Sequence, residues 1–313
     1  MVQPIDRLEV VVIVDNVTDS LSSTPKFVET EVRANYRRGI RMLSGACLCC
    51  AAHGLSCLLT AYRGGKSHSL LFDTGPEEDV FARNVARLGV DLGAVEAIVL
   101  SHGHWDHAGA MLRALDLITL GNGGRSVPTY LHPGMFGTRG VKLADGSMRP
   151  MEDVPSLHAL DSRGAETVCT TEPQSVLEES FFVSGEIPRV TPFEQGLPGH
   201  FRRDSDGADW EPDPLLVDER FVAVDVAGKG VVVFTACSHA GVVNVLRHAR
   251  DSFPGRPLFG VLGGFHLVGS NEKIIPQTVE ALKALEVQMV APAHCTSSAV
   301  SYTHLTLPTT ERV

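Results

Sequence analysis

Apolar and polar positions fall in blocks along the chain, and these blocks predict strands and helices in turn. Leu8 to Val14 is almost continuously apolar and β-branched, which is typical of a buried strand. Further strands are predicted at 55–62, 69–72, 221–226, 231–234, 258–262 and 287–291, and helices from Pro76 and over 108–115, 241–250 and 278–285. Because the two kinds of element interleave, the pattern favours one α/β domain over residues 1–299.

Residues 120–215 depart from this pattern. They are richer in glycine, proline and charge, and their hydrophobic periodicity is weaker. Long segments of this kind in an enzyme commonly form loops over the active site. We therefore expect an insertion of loops that covers the site and sets substrate choice.

One polar motif stands directly after the apolar run 97–100. Ser101 to His107, with the sequence SHGHWDH, places three imidazoles and one carboxylate within six positions. Such groups are costly to bury without partners, and they are ligands of zinc, manganese and iron. On a continuing strand, His102 and His104 share a face and suit one metal, whereas Asp106 and His107 lie just beyond and suit a second.

Composition and charge narrow the class of protein. Hydrophobic residues make up 43% of the 313-residue chain and the formal net charge is −10, so a nucleic-acid groove is not expected. No run of eighteen apolar residues and no secretory signal is visible, which indicates a cytoplasmic enzyme with a small-molecule substrate and no membrane contact. The oligomeric state is left open.

The seven cysteines, an odd number, fit a reducing compartment. Cys47, Cys49 and Cys50 are close in sequence, but no second pair follows at zinc-finger spacing, and we interpret them as buried or incidental thiols. Cys237 follows a predicted strand, where its thiolate would touch the second metal or its small side chain would pack behind the site.

The motif after its short apolar strand resembles the signature of the metallo-β-lactamase superfamily. The resemblance spans about residues 8–298 and implies a four-layer αββα sandwich, of mixed α/β (α+β) class, with one or two metals at one edge. Asp73 in LFDTG is similar to the residue that braces the metal-binding loop there. Three later segments, 235–241 (TACSHAG), 263–267 (GGFHL) and 293–296 (AHCT), resemble a narrower subgroup of metal-dependent hydrolases and dihydropteroate synthase-like proteins, relatives of the pterin-ribofuranosylaminobenzene-phosphate synthases.

The resemblance implies a ligand for each position of a two-metal site. His102, His104 and His239 form the set for the first metal, and Asp106, His107 and His294 the set for the second. Zinc is the expected ion, with manganese and iron as alternatives. Asp106 would also orient a metal-bridged hydroxide, which serves as nucleophile.

Several residues keep more than one interpretation. Other subgroups take the ligand that corresponds to His239 from a different loop, so His132, His266 and Cys237 are alternatives to it. His266 follows two glycines and also fits acid catalysis or substrate contact, and His132 also fits substrate contact. Arg189 fits an anionic group of the substrate or a structural salt bridge. The role of His53 is left open, and His68, His158, His200 and His248 carry no functional signal.

Three functions are consistent with these residues and with the resemblance. The first is a metal-dependent hydrolase acting on a small, anionic or cyclic substrate. The second is a transferase that condenses 6-hydroxymethyl-dihydropterin diphosphate with an aryl acceptor, either ribofuranosylaminobenzene phosphate or an aminobenzoate-like compound. The third is a non-catalytic metal-binding sensor module.

The end of the chain differs from what the resemblance predicts. Residues 300–313 show no helical period, and Pro308 interrupts any strand. Their sequence also matches a reading frame through a common sequencing adapter. We expect this tail to be non-native.

Overall fold

A computed structural model describes residues 2–19, 22–205 and 207–296. The tail predicted to be non-native lies outside the described residues. Among the described helices, none combines the length and apolar character that a membrane span requires.

The described residues form sixteen strands and seven α-helices. The strands are β1 (Arg7–Val14), β2 (Ser56–Arg63), β3 (Lys66–Phe72), β4 (Val95–Val99), β5 (Val127–Leu131), β6 (Thr138–Lys142), β7 (Met148–Pro150), β8 (Ala165–Cys169), β9 (Gln174–Val176), β10 (Phe181–Val183), β11 (His200–Arg203), β12 (Glu211–Pro212), β13 (Val222–Val226), β14 (Gly230–Thr235), β15 (Leu258–Gly263) and β16 (Met289–Pro292). The helices are α1 (Glu31–Arg37), α2 (Glu78–Leu88), α3 (Trp105–Ala108), α4 (Met111–Gly121), α5 (Leu157–Ser162), α6 (Val242–Ser252) and α7 (Ile275–Ala284).

Two six-stranded sheets face each other. One has the order β1-β2-β3-β4-β5-β8 and the other β16-β15-β14-β13-β10-β9. Alternation along β2 shows how the layers separate: Cys57 and Leu59 pack between the sheets against residues such as Phe234, whereas Leu58 packs outward with the α2 residue Phe81. The other sheet is covered by α6 and α7. The predicted αββα sandwich is therefore confirmed.

Local signals explain where the outer helices begin and end. The Glu77 carboxylate accepts hydrogen bonds from the backbone N–H groups of Asp79 and Val80, which have no partner inside the first turn of α2. The helix ends at Gly89, whose φ of 66° is the left-handed conformation that glycine adopts readily. Phe81 and Val85 on the buried face of α2 then fix it against the first sheet.

The prediction that 120–215 consists of loops is wrong for much of the segment. β5, β8, β9 and β10 belong to the two main sheets, and β6, β7, β11 and β12 form a separate four-stranded sheet. Several of these strands have only two to five residues, too few to show the alternation on which strand prediction depends. The segment thus completes the sandwich and adds a small sheet.

Parallel pairing decides where the polar loops meet. β3 pairs in parallel with β4, and β14, β15 and β16 form a second parallel set. Since the carboxyl ends of parallel strands lie at one edge of a sheet, the residues that follow these strands gather there. Those residues include Asp73, Ser101, Cys237, His266 and His294.

Candidate metal centre

Asp73 anchors the loop that carries the histidine motif. Its carboxylate accepts hydrogen bonds from the backbone N–H of Ser101 at 2.7 Å and from the Ser101 hydroxyl at 2.8 Å. The same carboxylate lies 2.8 Å from Nδ1 of His107. All three residues are fully buried, so the orientation of the loop is fixed from behind.

The first group of predicted ligands comprises His102, His104 and His239. Nε2 of His102 lies 3.0 Å from Nδ1 of His104, close to the roughly 3.3 Å that separates two nitrogen ligands of one tetrahedral zinc ion. The His239 ring centroid is 4.8 Å from that of His102 and 4.9 Å from that of His104. The Glu219 carboxylate accepts a hydrogen bond from the backbone N–H of His239 at 2.8 Å.

The second group comprises Asp106, His107, His294 and Cys237, whose ligand atoms all lie within 4.8 Å of one another. Oδ2 of Asp106 is 3.2 Å from Nε2 of His294 and 3.6 Å from Nε2 of His107. The Cys237 sulfur is 3.3 Å from the same His107 nitrogen. This arrangement combines oxygen, nitrogen and sulfur donors, a set that suits zinc.

Cys237 also approaches the first group and a third one. Its sulfur and the ligand atoms of His102 and His239 lie within 4.8 Å of one another, as do the ligand atoms of Cys237, His266 and Cys295. The thiol is buried. Of the two interpretations of Cys237, the one in which its sulfur reaches a metal therefore has the required geometry.

Buried ring nitrogens without hydrogen-bond partners are a further feature that fits metal binding at this cluster. Both ring nitrogens of His239 are buried and have no hydrogen-bond partner among the described residues, and the same holds for Nδ1 of His266. A buried polar atom left without a partner costs about 1–3 kcal/mol. A bound cation would satisfy the His239 nitrogen that carries the lone pair.

Burial and charge set the protonation of the cluster. Burial lowers the pKa values of His102, His104 and His239 well below the ordinary range. These rings are therefore neutral, and each keeps a lone pair that can bind a cation. Burial alone would also lower the pKa of His107, but the carboxylates of Asp106 and Asp73 raise it to about 9. Burial would raise the pKa of Asp106, and the neighbouring His107 and His294 lower it instead.

His53 and Asn16 join the site although no role was assigned to them from sequence. Nε2 of His53 lies 3.5 Å from Oδ2 of Asp106, and Oδ1 of Asn16 lies 2.9 Å from Nδ1 of His294. Gly54 permits this approach, because a Cβ atom there would lie 2.3 Å from the backbone oxygen of Asp106. The signal in sequence was the glycine after His53, which alone does not indicate its partner.

His200 was also missed. It lies on β11, is 1% exposed, and its Nε2 is 3.0 Å from Nε2 of His104. Burial, followed by the charge of Arg139, lowers the pKa of His200 to about 4, so its ring is neutral. The short strand around it carries no sequence pattern that separates it from surface histidines.

The structure does not bring Arg189 or His132 to the cluster. The Arg189 guanidinium donates to backbone oxygens, among them that of His239 at 2.8 Å. Nδ1 of His132 accepts from the Gly134 N–H at 3.0 Å, and its Nε2 faces Glu186 at 3.3 Å. Neither residue lines the cavity beside the cluster, so their side chains shape loops, and substrate contact stays a prediction for both.

That cavity has a volume of about 610 Å³. Asp106, His104, His239, His266 and His294 reach its wall. The other lining residues are Asn16, Val17, His53, Trp105, Met151, Leu197, Cys237, Val268, Cys295 and Thr296. No lysine or arginine belongs to this set of described residues, so positive charge for an anionic substrate would have to come from bound cations or histidines.

Four non-glycine residues at this edge have positive φ angles. They are Asp73 at 58°, Ser238 at 56°, His266 at 44° and His294 at 46°. An L-residue in this left-handed region costs roughly 1–2 kcal/mol. The turns at His266 and His294 place these two side chains at the cavity, whereas Asp73 supports the motif loop beside it.

An ion pair ties the four-stranded sheet to the motif. Arg139 of β6 lies 2.7 Å from Oδ1 of Asp218, whose Oδ2 accepts from the Gly103 N–H at 2.8 Å. Both side chains are buried. The backbone between His102 and His104 is thus linked through Asp218 to the four-stranded sheet that also carries His200.

Comparisons with known proteins show what this chain is similar to. Residues 54–134 match the model of the metallo-beta-lactamase superfamily. The chain is 25% identical over 264 residues to a 7,8-dihydropterin-6-methyl-4-(beta-D-ribofuranosyl)-aminobenzene-5'-phosphate synthase of Methanocaldococcus jannaschii, covering 78% of this chain and 81% of that protein. An uncharacterized protein of the same organism is 28% identical over 248 residues, covering 79% and 84%.

Among solved structures, a metal-dependent hydrolase of the beta-lactamase superfamily superposes with a TM-score of 0.64. It is 22% identical in sequence, and the match covers 94% of this chain and 91% of that chain. This similarity confirms the fold. The resemblance to the superfamily that the sequence predicts is confirmed by these similarities, whereas the role of each ligand stays a prediction.

Proposed function

We propose that this chain, which belongs to the metallo-β-lactamase superfamily, is a metal-dependent hydrolase acting on a small, anionic or cyclic substrate. The observation that carries the proposal is the convergence of nitrogen, oxygen and sulfur donors from several loops on the wall of one cavity. Bound divalent cations would polarise the substrate and lower the pKa of a water to roughly 7.

Each cation would have its own ligands. His102, His104 and His239 would hold the first, and Asp106, His107 and His294 the second, with the Cys237 sulfur within reach of both groups. Zinc suits this mixture of imidazole, carboxylate and thiolate better than magnesium does. Asp73, Asn16 and Ser101 would keep the ligand rings in orientation from behind.

Two polar residues that line the cavity, Asp106 and His266, would act on the substrate in different ways. Asp106 lines the cavity, and its carboxylate would hold the proton of the attacking water. His266, whose Nδ1 has no hydrogen-bond partner among the described residues, would donate a proton to the leaving group. Because no lining residue is a lysine or arginine, the negative charge of the substrate would be neutralised mainly by the cations.

A second candidate is transfer of a dihydropterin group from its diphosphate to an aryl acceptor. The similarity to the methanogen synthase over most of both chains favours it. So do the aromatic rings of Trp105 and His53, which line the cavity with their centroids 6.0 Å apart and would pack against a flat heterocycle. In this reaction the C–O bond to diphosphate breaks, the acceptor forms the new bond, and the acceptor proton is released.

One assay separates the two candidates. The zinc-loaded protein is incubated with a generic phosphodiester, and separately with 6-hydroxymethyl-dihydropterin diphosphate, with and without an arylamine acceptor. Phosphodiester turnover, or diphosphate release that does not need the acceptor, supports the hydrolase. Release that requires the acceptor supports the transferase, and retention of metal without turnover of any compound contradicts both.

A further inference from the structure

His200 stands behind a predicted metal ligand. Its side chain comes from β11 of the four-stranded sheet and is buried. Nδ1 of His200 lies 2.9 Å from the backbone oxygen of Asp213, and Nε2 lies 3.0 Å from Nε2 of His104. The ring therefore joins a backbone carbonyl to the motif histidine.

The two distances decide which nitrogen carries each proton. A carbonyl oxygen only accepts, so Nδ1 of the neutral His200 ring carries its single proton and donates to Asp213. Nε2 of His200 is then an acceptor, and Nε2 of His104 must carry the proton between them. This leaves the lone pair of His104 on Nδ1, the atom that lies 3.0 Å from Nε2 of His102.

We propose that His200 is a positioning residue that fixes His104 as the tautomer whose Nδ1 binds the first cation. The inference rests on the proposed metal function. Other predicted ligands have comparable supports, since Nδ1 of His102 lies 2.9 Å from the Ser101 hydroxyl and Nδ1 of His107 lies 2.8 Å from Asp73. His104 differs because its support comes from the separate four-stranded sheet.

The test compares His200→Leu with His200→Gln. Leucine removes the acceptor, whereas the amide oxygen of glutamine can accept near the place of Nε2. Zinc affinity is measured by competition with a chromophoric chelator. We expect the affinity to fall by about 10–100-fold in His200→Leu and by less in His200→Gln. His248→Leu serves as the control, since His248 lies on α6 and packs against Phe221.

A second readout follows the proton itself. In the zinc-loaded protein, NMR with ¹⁵N-labelled histidine should show an Nε2–H signal of His104 that is protected from solvent exchange and absent from His104→Gln. The signal should be lost in His200→Leu and kept in His248→Leu. Wild-type zinc affinity and a retained signal in His200→Leu would overturn the inference.

The controls separate the two levels of the proposal. If the wild-type protein binds no stoichiometric metal, the proposed function fails. If the wild type binds zinc tightly but His200→Leu and His200→Gln bind it equally well, only the role of His200 fails. Should His200→Leu not fold, His200→Phe, which also removes the acceptor, replaces it in the comparison with the wild type, and an unchanged affinity and proton signal in that variant overturn the inference.

Discussion

Oδ2 of Asp73 lies 2.8 Å from Nδ1 of His107, and both side chains are fully buried. The same carboxylate binds the backbone and the hydroxyl of Ser101. One side chain that faces no cavity thus sets both the course of the motif loop and the orientation of a predicted ligand.

Replacing Asp73 by asparagine should weaken the binding of the second cation. The amide keeps one acceptor but loses the charge that favours a strongly basic His107, so zinc affinity should fall by about 10–100-fold. Chelator competition measures the change. Asp225→Asn is the control, since Asp225 is similarly buried but pairs with Arg256 away from the cluster, and equal affinities of the two variants would contradict the prediction.

Metal content should be close to two divalent ions per chain, as the ligand groups imply. Chelation should abolish activity and added zinc or manganese should restore it.

Asp106→Ala should cost more activity than His266→Ala, because it removes a predicted ligand next to the attacking water. Elemental analysis decides the matter, and a His266→Ala variant that loses a metal while His239→Ala does not would reverse the assignment of the first site.

Cobalt substitution should report the sulfur ligand. If the Cys237 thiolate binds the ion, the cobalt protein should show sulfur-to-cobalt charge-transfer absorption, and Cys237→Ser should lose it. Cys169→Ser, at an exposed thiol outside the cluster, should retain it. An unchanged spectrum in Cys237→Ser would assign this residue to packing.

Breaking the buried ion pair between Arg139 and Asp218 should lower stability. Arg139→Met leaves the Asp218 carboxylate buried without its cation, which typically costs about 3–5 kcal/mol of the free energy of unfolding. Denaturant titration measures the loss. Arg163→Met is the matched control, because its ion pair with Asp116 is exposed and should contribute less than about 1 kcal/mol.

Much of the sandwich was predictable because its long strands are continuous in apolar residues. β1, β2, β13 and β14 were placed within one residue at each end, whereas β3 begins three residues before its predicted start. β9 and β10 have three residues each, too few to show an alternating pattern, and β10 joins the sheet by pairing with β13, which is distant in sequence.

The candidate site divides in the same way. The spacing of the polar residues from His102 to His107 is enough to predict a metal-binding motif without any knowledge of the fold. His200, His53 and Cys295 depend on packing between segments far apart in the chain, and nothing in their neighbours states what they will contact. Arg189 illustrates the converse, since a residue type suited to anions is instead used to hold loop carbonyls.

The left-handed turns at Asp73, Ser238, His266 and His294 also matter for protein engineering. At about 1–2 kcal/mol each, they are the positions where glycine would relieve the backbone most directly. A library selected only for heat resistance would therefore be drawn toward glycine at His266, whose Nδ1 has no hydrogen-bond partner among the described residues to lose. Directed evolution of this scaffold would need metal retention as a second criterion of selection. Otherwise, thermostable clones that have lost side chains of the cluster would accumulate.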